Sequence, residues 1–257
     1  MISRLNYLWR LMATGCCFAV FGLGGFALSV AVFPVLRTLP QNQCLPLTRR
    51  VIHKSFACFM WLMRTLGIMR MEVVGADKLR HCRNVLVLAN HPTLIDVVAL
   101  ISLMPTASCV VKQALWKNPF LGGVVRAAGY ISNSDSDRLI DACARDLTQG
   151  SPLIVFPEGT RTQPGMPLHF QRGAAYIALR SGVPILPVLI DCNPSTLTKR
   201  EKWYHIPCRS FHLRIQVLSP LSGAQWVSMD EPQTVAARKL TQGLESFFTQ
   251  ELNAWTH

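Results

Sequence analysis

The sequence predicts an α/β protein: a largely parallel sheet flanked by helices, behind an N-terminal membrane-anchoring helical segment. Three observations lead there. From about residue 71 onward, short apolar runs of strand length alternate with stretches of helical period, the pattern of a parallel sheet covered on both faces. Residues 11–36 contain no charged side chain. The formal charge of +12 over 257 residues is concentrated in that same N-terminal quarter. Eight Lys and Arg residues precede the first acidic residue, Glu72, whereas the rest of the chain holds 18 basic and 14 acidic side chains. Half of the chain is hydrophobic, which excludes intrinsic disorder, and 16 Gly and 16 Pro exclude collagen-like composition.

The elements follow in order. Residues 11–36 exceed the roughly 20 apolar residues a membrane span needs. Gly15, Gly22, Gly24 and Gly25 are tolerated in such a helix and permit close packing, and Pro34 marks its expected end. A cleaved signal peptide or a buried soluble helix are the alternatives. After Pro40 and Pro46, residues 51–69 form a second apolar segment interrupted by Lys54 and Arg64. It reads as an interfacial amphipathic helix or as a helix packed on the following domain. The basic residues around the first segment place the bulk of the chain in the cytoplasm, whether the segment spans or re-enters. Nine cysteines without a CxxC pair form neither a disulfide framework nor a zinc site.

Two parts are therefore expected: N-terminal membrane-associated helices over 1–70 and an α/β domain over 71–257. In the latter, strands are predicted at 71–75, 84–89, 107–111, 153–156, 185–190 and 212–218. Helices are predicted at 94–104, 118–128, 136–149, 171–181 and 232–254. Residues 191–210, with Lys199, Arg200, Lys202 and Arg209, form a basic excursion.

Two polar clusters fall directly after predicted strands, where open α/β sheets place their sites. The first is Asn90-His91-Pro92-Thr93-Leu94-Ile95-Asp96. If the chain turns at Pro92, Asp96 folds back onto one ring nitrogen of His91, and the other nitrogen is free to accept a proton from a hydroxyl. The plainer alternative makes Asp96 a helix cap. The second is Pro157-Glu158-Gly159-Thr160-Arg161. Arg161 suits a phosphate, Gly159 lets backbone approach a ligand, and Glu158 either orients Arg161 or contacts a substrate hydroxyl. An ordinary turn with an ion pair is the alternative.

Together, in this order and spacing, the clusters resemble the lysophospholipid and glycerol-phosphate acyltransferase family, named for bacterial 1-acylglycerol-3-phosphate acyltransferase. Asn90 to Asp96 is similar to its NHxxxxD block, and Phe156 to Arg161 to its third block. Phe170-Gln171-Arg172-Gly173 resembles the basic-Gly segment that follows, and Val183-Pro184-Ile185-Leu186-Pro187-Val188 the fourth block. Residues 112–119, with Lys112, resemble the family's lysine-containing lead into the next helix. The likeness covers about residues 72–220.

The resemblance implies that His91 is the general base and Asp96 orients it. A thioester, acyl-CoA or acyl-acyl carrier protein, is the donor co-substrate, and a lysolipid is the acceptor. Asn90, Glu158, Gly159, Thr160, Arg161 and Arg172 are then the substrate-binding set. No metal and no tightly bound cofactor is implied. The second block departs from the family: Asp135 stands where an Arg is usual, with Arg138 three residues later. Either Arg138 substitutes, or the acceptor is another lipid, such as an ornithine or aryl polyene lipid.

The expected partners are membrane lipids, a lysolipid and a thioester donor, at the cytoplasmic (inner) membrane with the catalytic domain facing the cytoplasm. Thioester or ester hydrolysis and a non-enzymatic basic lipid-binding module are the alternatives. A serine-hydrolase G-x-S-x-G elbow is absent from the sequence, and no nucleic-acid motif calls for that partner.

Overall fold

The computed structural model describes residues 2–133, 136–228 and 230–256. Helix α1 (Ile2–Ala27) continues through a π-helical turn (Leu28–Val32) into α2 (Phe33–Leu36). The expected end at Pro34 is thus corrected to Leu36. Pro34 occupies one of the first two positions of α2, where a missing amide hydrogen is tolerated, and the π turn before it is a local adjustment of the kind that accommodates proline. α3 (Gln41–Thr65) starts well before residue 51, with Pro40 as its N-cap residue and Pro46 inside it.

The sheet is built from β1 (Met69–Val74), β2 (Leu86–Ala89), β3 (Ser108–Val111), β4 (Ile131–Ser132), β5 (Leu153–Val155), β6 (Ile185–Asn193) and β7 (Phe211–Val217). Their spatial order is β1-β7-β6-β2-β5-β3-β4. Strands β6, β2, β5, β3 and β4 run parallel. β7 is antiparallel to β6 and parallel to β1, so one edge of the sheet is reversed. The connecting helices are α4 (Ala76–Arg80), α5 (Asp96–Ile101), α6 (Gly122–Ala127), α7 (Ser136–Thr148), α8 (Gly173–Ser181) and α9 (Gln233–Thr256). α5 and α6 are shorter than expected. α4 and β4, of five and two residues, were not predicted.

Side chains alternate across the central strands, and this period divides the core in two. Val87, Ala89, Ile154, Val188 and Ile190 point to one face; Leu86, Leu88, Leu153, Val155 and Leu189 point to the other. The second face is covered by α7, α8 and α9 through Cys143, Leu147, Ile177, Leu240 and Phe248. The first is covered by α5 together with the N-terminal helices, which contribute Cys17, Phe33, Ile52, Phe59 and Met63 to the same core. The expected boundary near residue 70 therefore falls inside β1 and inside one continuous apolar cluster.

Polar bonds reinforce that union. Arg49 of α3 is buried and donates to the Ala128 carbonyl at 3.0 Å and to the Ser151 hydroxyl at 2.8 Å, and it pairs with Asp146 at 3.4 Å. Arg10 of α1 donates to the carbonyls of Pro207 and Cys208 at 3.0 and 2.6 Å.

The opposite face of α1 is exposed. Residues 4–36 form a helical run with a mean hydropathy of 2.2 in its most apolar window, of which 17% is buried. It is long and apolar enough to cross a bilayer. Leu5, Met12, Leu23, Phe26 and Val30 are exposed along it. α3 divides similarly: Ile52, Phe59, Met60 and Met63 are buried, so the segment packs on the following domain, while Trp61 is exposed on its other face.

The glycines of α1 allow the expected close packing at one crossing. A Cβ on Gly25 would lie 2.9 Å from the Phe120 carbonyl, and one on Gly123 of α6 would overlap the Ser29 side chain. Helix propensity alone favours Gly123→Ala by about 1 kcal/mol. The crossing reverses that sign, and we expect Gly123→Ala to destabilise the full chain by about 1–3 kcal/mol, read by thermal unfolding in detergent micelles.

Candidate active site

Because β2, β5 and β3 are parallel neighbours, the segments that leave their carboxyl ends emerge side by side. His91 follows β2, the Pro157–Arg161 turn follows β5, and exposed Lys112 follows β3.

Asp96 opens α5 and has no solvent exposure. Its Oδ2 accepts the Thr93 amide at 2.7 Å, and its Oδ1 accepts the Thr93 hydroxyl. Ile95 is the N-cap residue and Asp96 the first helical position, so the carboxylate reaches back to a residue ahead of the helix, and its negative charge complements the helix dipole. The same Oδ2 accepts from His91 Nδ1 at 2.8 Å. Asp96 is therefore not the cap of α5: it is the first residue of the helix, and it tethers the imidazole. With Nδ1–H donated to the carboxylate, Nε2 carries the lone pair. The ring stacks on Phe156, with centroids 4.2 Å apart and planes 30° apart, and its side chain is 16% exposed.

The turn after β5 is tied to the same residue through backbone. Glu158 Oε1 accepts the His91 amide at 2.8 Å, and Thr162 N donates to the His91 carbonyl at 3.0 Å. Glu158 is buried, and its Oε1 faces the His91 backbone and not Arg161. Its second oxygen is buried without a partner among the described residues. Burial pushes its carboxyl up from 4.5 to about 7; the His91 and Thr162 amides oppose this, and the nearby Asp96 adds to it. Gly159 is exposed at φ +67°, a conformation that side chains other than glycine's rarely adopt. Thr160 is half-buried beside it.

The remaining predicted residues separate into two groups. Asn90 is buried, its Nδ2 donates to the Ile190 carbonyl at 2.7 Å, and its Oδ1 accepts the Ile190 amide at 2.7 Å. Both amide atoms are spent bracing β2 against β6. Arg161 Nη1 donates to the carbonyls of Leu197 and Thr198 at 2.8 and 3.0 Å, which holds the guanidinium at the sheet edge. The Leu197 carbonyl also accepts the Leu94 amide at 3.1 Å. Arg172, exposed at the start of α8, lines a cleft with Arg180, Arg238 and Glu245, while the Gln171 amide just before it donates to the Pro157 carbonyl at 2.7 Å. Asp135 lies outside the described residues, and Arg138 is on α7.

With this geometry in place, comparison with known proteins is direct. Residues 70–191 match the family model described as Acyltransferase. The matched span runs from β1 into β6 and holds both polar clusters. The human 1-acyl-sn-glycerol-3-phosphate acyltransferase beta is 25% identical over 68% of this chain and 65% of its own length. The Helicobacter pylori 1-acyl-sn-glycerol-3-phosphate acyltransferase is 34% identical over 41% of this chain and 47% of its own. The chain thus spans between about half and two thirds of the length of these curated relatives. The crystal structure of the 1-acyl-sn-glycerophosphate acyltransferase from Thermotoga maritima superposes with a TM-score of 0.67 at 23% identity, covering 95% of this chain and 97% of that one, a likeness of fold.

Two outcomes are expected. Asn90→Ala leaves the Ile190 amide and carbonyl without partners and lowers stability by about 2 kcal/mol or more, with the acceptor KM of the folded fraction unchanged. For Glu158, the folded carboxyl titrates above its ordinary value, so the unfolded chain ionises first. Its stabilising contribution is complete below about pH 4.5 and is lost as pH rises through about 7. Relative to Glu158→Gln, which keeps an oxygen for the His91 amide, the wild type should lose about 3 kcal/mol across that window and level off above it. Chemical unfolding at pH 4.5, 6 and 8 would check it.

Proposed function

We propose that the chain is a membrane-associated O-acyltransferase. It moves a fatty acyl group from acyl-CoA or acyl-acyl carrier protein to the hydroxyl of a lysophospholipid-like acceptor, with 1-acyl-glycerol-3-phosphate the first candidate. The single observation that carries this reading is the His91–Asp96 pair, 2.8 Å apart, beside a guanidinium at the carboxyl edge of an acyltransferase-family sheet. The relatives' names supply the acceptor.

The chemistry follows from the tautomer. His91 Nε2 accepts the proton of the acceptor hydroxyl as its oxygen attacks the thioester carbonyl. Asp96, without water, stabilises the imidazolium that forms. The tetrahedral intermediate collapses with cleavage of the carbon–sulfur bond, and the imidazolium returns the proton to the departing thiolate. The nucleophile is the substrate's own hydroxyl, so no protein acyl intermediate is needed. Arg161, held through Nη1, presents the rest of its guanidinium to the acceptor phosphate.

The exposed apolar row of α1 supports attachment to a bilayer, and the basic residues around it support a cytoplasmic domain at the inner membrane. The nine unpaired cysteines suit a reducing compartment.

The test is acyl transfer in vitro with a panel of lysolipid acceptors and both thioester donors, read by mass spectrometry. His91→Ala should lower kcat about 10²–10⁴-fold in a chain that still folds, with some loss of melting temperature because the buried Asp96 loses one of its donors; full activity in that variant would remove the mechanism. Arg161→Ala should raise the acceptor KM about 10-fold or more.

A further inference from the structure

Residues 194–210, between β6 and β7, carry four basic side chains (Lys199, Arg200, Lys202, Arg209) against one acidic, Glu201. The acyl-transfer reading uses none of the four. The segment is pinned at both ends. Toward the site, the Leu197 and Thr198 carbonyls receive Arg161, and Leu197 also receives the Leu94 amide. Toward α1, the Pro207 and Cys208 carbonyls receive the buried Arg10 guanidinium. Trp203 lies against Gly15 and stands 6.1 Å from the Phe18 ring, both on α1.

Between these pins the segment faces outward. Lys199, Arg200, Lys202 and Arg209 are exposed, and so are Trp203 and Tyr204 at 46% and 40%. The Lys202 ammonium stands 5.6 Å over the Tyr204 ring. Gly15 and Phe18 mark the flank of α1, and the exposed row of Leu8, Met12, Leu23 and Phe26 runs beside it. The surface therefore passes from an apolar helix face, through two amphipathic rings, to a group of cations. That sequence of chemistries matches the depth profile of a bilayer surface: acyl chains, interface, then phosphates. A nucleic acid or an acidic protein would match the cations and leave the adjoining apolar row without a role.

We propose that residues 199–209 are a second membrane contact, a strap at headgroup level that is selective for anionic phospholipid. The Lys and Arg side chains meet lipid phosphates, and Trp203 and Tyr204 sit at the interface. This rests on the membrane attachment of α1 proposed above, and not on the acyl-transfer chemistry.

The test uses the full chain reconstituted in vesicles of phosphatidylcholine, with or without phosphatidylglycerol, each doped with brominated phosphatidylcholine as quencher. Trp203 emission is isolated as the difference between wild type and Trp203→Phe. Co-flotation of the chain with the vesicles is scored first. Trp203 should be quenched in the anionic vesicles and much less in the neutral ones, and added salt should release it. Lys199→Gln and Lys202→Gln should each raise the phosphatidylglycerol content for half-maximal quenching about five-fold, the worth of one cation near an anionic surface. His91→Ala should behave as wild type. A chain that fails to float in either vesicle sinks the attachment of α1 and the strap with it. A chain that floats with Trp203 equally quenched in both vesicles, or insensitive to the two substitutions, overturns the strap alone. So does a result in which the substitutions spare quenching but weaken binding of an acyl carrier protein.

Discussion

A carboxylate sealed from water must find its hydrogen bonds inside the protein or cost several kcal/mol. Asp96 finds three, from the Thr93 amide, the Thr93 hydroxyl and His91 Nδ1. Meeting that demand obliges the chain to turn at Pro92, start α5 and hold the imidazole in one tautomer. The neighbouring residues extend the constraint to other strands. His91 gives its amide to Glu158 and takes a bond from Thr162, which locks the exit of β2 to the exit of β5. Asn90 gives its side chain to Ile190, which locks β2 to β6. Two adjacent residues thus fasten three strands at the edge where chemistry takes place.

Local signals were legible and distant ones were not. Strands with a clear apolar run, such as 84–89 and 185–190, stand in the structure within a few residues of their expected ends. β4, two residues long, leaves no periodic trace. Pro34 and Pro46 read as breaks under rules for isolated helices; a π turn and tertiary packing carry the helices through them. At the site, His91 and Asp96 lie five residues apart across one turn at Pro92, so the pair was visible. Phe156, the residue just before the second cluster, could have been marked as the ring beneath His91. Asn90's tie to Ile190 was not visible because its partner is 100 residues away, and Arg161's tie to Leu197 has no local signature either. Motif membership says that a residue is needed; it does not say whether it faces ligand or backbone.

The N-terminal helices carry a larger part of the fold than their composition implies. An anchor alone would need only an apolar surface. Here Arg49 spends its guanidinium on Ala128, Ser151 and Asp146, and Arg10 on Pro207 and Cys208. A buried guanidinium is costly unless each donor is met, so these bonds set the orientation of the helices relative to the sheet. The exposed row of α1 and the catalytic edge are thereby held in one rigid relation.

The reversed edge of the sheet bears on how the chain is assembled. β1 is paired in parallel with β7, Met69 with Phe211, about 140 residues later. A ribosome releases β1 long before its neighbour exists, and closing so long a loop is entropically slow. Throughout that interval Ile52, Met63 and Met69, all buried in the finished molecule, lack the residues that will cover them. The helix preceding them is the part of the chain best suited to a lipid surface. Under the proposed attachment to a bilayer, a nascent chain parked there keeps its unfinished core beside lipid rather than other proteins, so the bilayer acts as a holding site during synthesis.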